Sequence, residues 1–145
     1  MSQQVHMDIV RRAFDAFNDG DWDAAAELAD PEVEWHAPEG FAAPDAARLL
    51  RGKWTVREMW ASFFSVWDEW EMTPGTLLAG QDGTVFVPVQ FTARGHGSGV
   101  PMTMDYFQVY AFRAEKILRI HNYLDRSEAL EAAGPADLLR RPASS

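Results

Sequence analysis

The hydrophobic pattern changes its period once along this chain, and that change constrains the fold more than any other feature. Through the first third, apolar residues recur at helical spacing; afterwards they alternate along long runs separated by tight turns. From Val5 to Phe17 the stripe is Val5, Ile9, Val10, Ala13, Phe14 and Phe17, and Asn18-Asp19-Gly20 breaks it. Asp21 is placed to cap a second helix carrying Trp22, Ala25, Ala26, Leu28 and Ala29, with Pro31 as its stop. Val33-Glu34-Trp35-His36 reads as a short extended piece, and residues 37–51, with Pro38, Gly40 and Pro44, as a loop. Thr55-Val56-Arg57-Glu58 has the spacing of a capping box, opening a third helix whose stripe is Val56, Met59, Trp60, Phe63, Phe64 and Trp67.

The remainder predicts a meander of strands over residues 69–79, 84–94, 100–112 and 116–125, with turns at Gly80-Gln81-Asp82-Gly83, at Gly95-His96-Gly97-Ser98-Gly99 and at Ala114-Glu115. Asp125-Arg126-Ser127-Glu128 starts a last short helix that Gly134-Pro135 stops. Helices first and antiparallel strands after imply an α+β fold with the helices on one face of the sheet. Residues 1–134 read as one domain and residues 135–145 as a loosely held tail.

Two strands carry the clearest face pattern. On the last, Leu118, Ile120, Asn122 and Leu124 share one side, and Ile117, Arg119, His121, Tyr123 and Asp125 the other. On the strand before it, Thr103, Asp105, Phe107 and Val109 alternate with Met102, Met104, Tyr106, Gln108 and Tyr110. An apolar face with a few polar residues is how a small-molecule pocket reads. The expectation is therefore a pocket lined by Thr103, Asp105, Phe107, Ile120 and Asn122, with Met102, Met104, Tyr106, Tyr110, His121 and Tyr123 on an outer face that suits a homodimer.

Composition narrows the classes of function. The chain has 145 residues, 47% of them hydrophobic, with six tryptophans and a formal charge of −9. Its basic pairs, Arg11-Arg12 and Arg140-Arg141, are isolated, which argues against nucleic acid and anionic membrane as partners. Cysteine is absent, removing disulfides, thiolate metal sites and cysteine nucleophiles. No apolar run reaches the length of a membrane span, and Met1-Ser2-Gln3-Gln4 is polar, so a cytoplasmic protein without signal peptide is expected. Gly95-x-Gly97-x-Gly99 does not lead from a strand into a helix and is no nucleotide signature; Glu34 with His36 is too sparse for a metal site. No cofactor and no metal are expected.

Arg-Arg-Ala-Phe-Asp-Ala-Phe-Asn-Asp-Gly-Asp-Trp-Asp near the start resembles the nuclear transport factor 2-like superfamily, as do Val-Glu-Trp-His and Gly-His-Gly-Ser-Gly-Val-Pro. The ending His-Asn-Tyr-Leu-Asp-Arg-Ser-Glu-Ala-Leu-Glu-Ala-Ala-Gly is similar to its SnoaL-like, polyketide cyclase-like and ketosteroid isomerase-like branch. The resemblance covers residues 5–134. It implies a cone-shaped curved sheet with the N-terminal helices over its concave face, a pocket, and dimers. It puts Asp105 where relatives keep an acid/base or hydrogen-bonding aspartate, and His36 near the position of the isomerases' proton-abstracting carboxylate. Ala13 stands in place of the isomerase tyrosine, and Asn122 and Thr103 in place of the aspartate and arginine of the epoxide hydrolases, so neither steroid isomerisation nor epoxide hydrolysis is implied.

Two functions remain open. One is a cofactor-independent acid/base enzyme (isomerase, cyclase or dehydratase) acting beside a carbonyl of an apolar metabolite, with Asp105 and His36 catalytic and Ala13, Phe17, Trp60, Thr103, Phe107, Ile120 and Asn122 lining the pocket. The other is a non-catalytic binding module for a hydrophobic small molecule, in which Asp105 only satisfies its neighbours.

Overall fold

The computed structural model describes residues 2–38, 49–95 and 100–134. His96 with its glycine-rich turn, most of the 37–51 loop and the 135–145 tail lie outside the described residues. Helix α1 (Ser2–Asp19) is followed by α2 (Trp22–Glu27), whose first turn is capped by Asp21 accepting from the Ala24 amide. Strand β1 (Ala29–His36) starts before Pro31, so the proline lies within the strand and not at the helix end. Strand β2 (Leu49–Arg51) emerges from the stretch expected to be loop. Helix α3 (Lys53–Ser65) begins earlier than the capping box predicts: Gly52, at φ 102°, adopts a backbone that favours glycine, and its carbonyl accepts from the Val56 amide. Strands β3 (Trp67–Pro74), β4 (Leu78–Ala79), β5 (Val85–Gly95), β6 (Pro101–Arg113) and β7 (Lys116–Tyr123) lead to helix α4 (Arg126–Ala132), capped by Asp125 accepting from the Ser127 amide.

The strands form one curved, unclosed seven-stranded sheet in the order β2-β1-β7-β6-β5-β3, with β4 paired to β5. It is mixed, not wholly antiparallel as expected, because β1 joins β7 in parallel, Trp35 opposite Ile120 and His36 opposite His121. A shift in the β6–β7 register between Ala111 and Phe112 lets both Ile117 and Ile120 reach the main core. Simple alternation puts them on opposite faces. No described helix is long and apolar enough to cross a membrane.

Helices α1 to α3 pack on one face of the sheet and form the main core with it. Helix α4 packs on the other face, where Phe86, Val109, Ala129 and Ala133 make a second, smaller core with Phe107 and Tyr123 against it. Strands β5 and β6 therefore send apolar side chains into a core on each side of the sheet.

Candidate functional site

Cross-strand pairing fixes which side chains face inward. Gln108 stands opposite Asn122 and Tyr110 opposite Ile120, so these four share a face; Phe107 stands opposite Tyr123 and Val109 opposite His121 on the reverse. The inner face holds a cavity of about 90 Å³ between sheet and helices. Phe17 of α1 and Met59, Trp60, Phe63 and Phe64 of α3 form its helical wall. Trp35, Met72, Phe91 and Met104 join them from the sheet, with Tyr106, Gln108, Ile120 and Asn122. The α1 end of the wall is held by Asn18, whose side chain donates to the Met72 carbonyl at 2.9 Å and accepts from the Met72 amide at 2.7 Å, acting as a short extra strand beside β3.

Phe17, Trp60, Ile120 and Asn122 thus line the cavity. Ala13 is buried in the core but is not part of the lining. Thr103, Asp105 and Phe107 are on the wrong side for the expectation: Thr103 and Asp105 are exposed, and Phe107 packs in the second core beneath α4. The reason is that α4 makes the outer face of β6 apolar at Phe107 and Val109, so both faces of that strand look buried and alternation alone chooses wrongly. The same inversion moves Met102, Met104, Tyr106 and Tyr110 from the expected outer face to the inside, leaving only His121 and Tyr123 of that set outside.

His36 also faces outward. Its Nε2 lies 3.0 Å from Glu34 Oε1, and its ring stacks on His121 at 4.6 Å, which stacks on Tyr123 at 4.4 Å. The His36 hydrogen bond first, then the Arg51 guanidinium, hold Glu34 below the usual carboxylate range. Burial, then the neighbouring His36 and Arg119, lower the His121 pKa. This ladder borders a polar hollow of about 480 Å³ that also includes Asp125 and Glu128. Among the described residues, no group of three or more histidines and carboxylates is placed to hold a metal ion.

Inside, the polar groups form a chain. Tyr110 Oη donates to Gln108 Oε1 at 2.8 Å, Gln108 Nε2 donates to Asn122 Oδ1 at 2.9 Å, and Asn122 Nδ2 donates to the His36 carbonyl at 2.8 Å. Tyr106 adds a phenol with no hydrogen-bond partner among the described residues, and burial raises its pKa so that it keeps its proton. No carboxylate or imidazole of the described residues lines the cavity. Tyr106 and Gln108 were missed by sequence reasoning, although a glutamine and an asparagine opposite each other on adjacent strands was a readable signal once the register was known.

Residues 10–120 match the SnoaL-like domain family. No curated protein matches the chain. Among solved structures, the chain is similar to the epoxide hydrolase/cyclase-like enzyme SalBIII, associated with pyran ring formation in the polyether salinomycin (24% identity, 88% of this chain and 96% of that one, TM-score 0.72). It is also similar to a protein from a soil-derived mobile gene cassette (20% identity, 91% and 98%, TM-score 0.75) and to TerC co-crystallised with polyporic acid (20% identity, 89% and 98%, TM-score 0.72).

Proposed function

We propose that this chain, which belongs to the SnoaL-like domain family, binds a small apolar molecule of about one ring in the cavity between its helices and its sheet. The observation that carries this reading is the lining itself: aromatic rings, three methionines and a mutually hydrogen-bonded amide pair, with neither carboxylate nor imidazole among the described residues. An apolar cavity of roughly 150 Å³ holds benzene, so about 90 Å³ that can widen by methionine rotation suits a single ring and not a steroid. Proton transfer needs a group that titrates near neutrality, and Tyr106, kept protonated, can polarise a carbonyl without taking a proton from its neighbour. Binding without acid/base turnover is the reading that fits. Native mass spectrometry of the purified protein tests it: a bound mass increment is expected, lost in the cavity-filling variant Ile120→Trp. A protein that carries no increment and binds no one-ring apolar compound would show the reading to be wrong.

For assembly, we propose a homodimer across the outer face. The His36–His121–Tyr123 ladder runs from Arg51 and Arg119, which share the single carboxylate of Glu34, to Asp125 and Glu128 at the hollow, so a copy turned by a two-fold axis can set those two acids against the arginine pair. Sedimentation showing only monomer at micromolar concentration would remove the proposal.

A further inference from the structure

The direction of the hydrogen-bond chain in the cavity wall constrains the ligand. A backbone carbonyl can only accept, so Asn122 must turn its Nδ2 toward the His36 carbonyl and its Oδ1 toward Gln108. Gln108 must then donate from Nε2 and turn Oε1 toward Tyr110, whose hydroxyl must donate. One carbonyl therefore sets the orientation of both amides, which the shape of an isolated amide leaves ambiguous. Gln108 and Asn122 are 4% and 3% exposed. Each amide nitrogen carries a second N–H beyond the one used here. Beside them, the Tyr106 hydroxyl has no partner among the described residues and stays protonated. A buried N–H or O–H left without an acceptor costs more than an oxygen with a spare lone pair.

We infer that the cavity selects a ligand by an acceptor oxygen without its own hydrogen, a ketone, aldehyde or quinone oxygen, received by the Tyr106 hydroxyl and the spare N–H groups of Gln108 and Asn122. The inference rests on the proposed binding function and names the class of molecule it serves. The corresponding alcohol is disfavoured, because its oxygen must serve the same donors while its own hydrogen has to reach a second lone pair on Gln108 Oε1 or Asn122 Oδ1, each already accepting one bond. Asp105, one residue away in sequence, plays no part, since it faces the outside.

Three one-ring compounds of nearly equal shape separate the possibilities: acetophenone, 1-phenylethanol and ethylbenzene, titrated by calorimetry into the full chain. Acetophenone is expected to bind about tenfold more tightly than 1-phenylethanol, the effect of leaving one buried donor unmatched. Tyr106→Phe, which removes a hydroxyl that has no partner among the described residues and so leaves none of them unpaired, should reduce that preference to about twofold or less. Asp105→Asn should leave the preference as it is. If ethylbenzene binds but the ketone is no better than the alcohol, or the preference survives Tyr106→Phe, the acceptor rule is wrong and the binding reading stands. If none of the three binds, the binding reading fails and the acceptor rule falls with it.

Discussion

Asn122 donates its side-chain amide to the backbone carbonyl of His36 across the seam where β1 and β7 run parallel, 2.8 Å apart. The bond sits where the described pairing of these strands ends, with His36 opposite His121, and it completes the polar chain through Gln108 and Tyr110. Asn122 is thus both a seam fastening and part of the cavity wall.

Removing that fastening should be costly. Asn122→Leu leaves the His36 carbonyl and the Gln108 amide unpaired in a buried place, with an expected loss of about 2 kcal/mol. Asn122→Asp faces a carboxylate toward a carbonyl, so burial and repulsion favour the protonated acid; this variant should gain stability as pH falls toward 4, in the sense opposite to wild type. Urea denaturation at neutral and acid pH checks both. A loss below about 0.5 kcal/mol in Asn122→Leu means the bond contributes little.

Asp105 and Gln108 should behave in reverse of the expectation from alternation. Asp105→Asn changes an exposed side chain and should alter stability by less than about 0.5 kcal/mol. Gln108→Leu strands the fully buried Tyr110 hydroxyl and should cost about 1 to 3 kcal/mol, read as a lower urea midpoint. A large effect at Asp105 with none at Gln108 means the inward and outward faces of β6 have been exchanged.

Acid should weaken the fold in two steps. His121 and Asp30 both have pKa values lowered by folding, His121 by burial and then by His36 and Arg119, Asp30 by the Arg113 hydrogen bond and then by the Glu32 amide. In each case the unfolded chain binds more protons, so the contribution is present above the unfolded value and lost as pH falls. For His121 the loss begins below its ordinary 6.5, and for Asp30 below its ordinary 3.8. His121→Phe should keep the ring stack and remove the upper step, and Asp30→Asn should flatten the lower one. Wild-type stability that stays level from neutral pH to about 5 contradicts the first step.

The hairpin joining β6 to β7 carries avoidable strain. Ala114 and Glu115 hold φ of 50° and 63°, the left-handed geometry of a two-residue turn that favours Asn-Gly. Replacing them together, Ala114→Asn with Glu115→Gly, should raise stability by about 1 to 2 kcal/mol, seen as a higher Tm in a thermal melt. An unchanged or lowered Tm shows that these side chains make contacts that offset the strain.

Where sequence reasoning succeeded, the signal was local; where it failed, the deciding contact was distant. The stripes of Val10, Phe14 and Phe17 and of Val56, Trp60 and Phe64 placed the helices because a helix buries residues near one another in sequence. Asp21 and Asp125 were legible as caps because a cap acts within three residues. Strand β6 was legible as a strand but not as to its faces, since α4, coming later in the chain, buries Phe107 and Val109 from outside. Strand β2 and the parallel β1–β7 pairing had no local mark at all, and with them went the placement of His36. The candidate site was therefore half readable: Phe17, Trp60, Ile120 and Asn122 from periodicity, but not Tyr106 or Gln108, whose inward direction depends on register.

The parallel seam also sets an order of events during synthesis. Trp35 leaves the ribosome early and Ile120 late, yet the two must stand side by side before the cavity has a wall. Until β7 has been made, β1 has no partner on that edge, and beyond what β1 itself covers, the tryptophan face of the N-terminal helices waits for β3, β5 and β6 as they arrive. Contacts that close such a long stretch of chain form slowly, and exposed apolar surface in the interval invites chaperones or aggregation. A nascent chain halted just before Lys116 should therefore be a sticky, protease-sensitive species, and release of the last strand should convert it in one step into a protein with an interior.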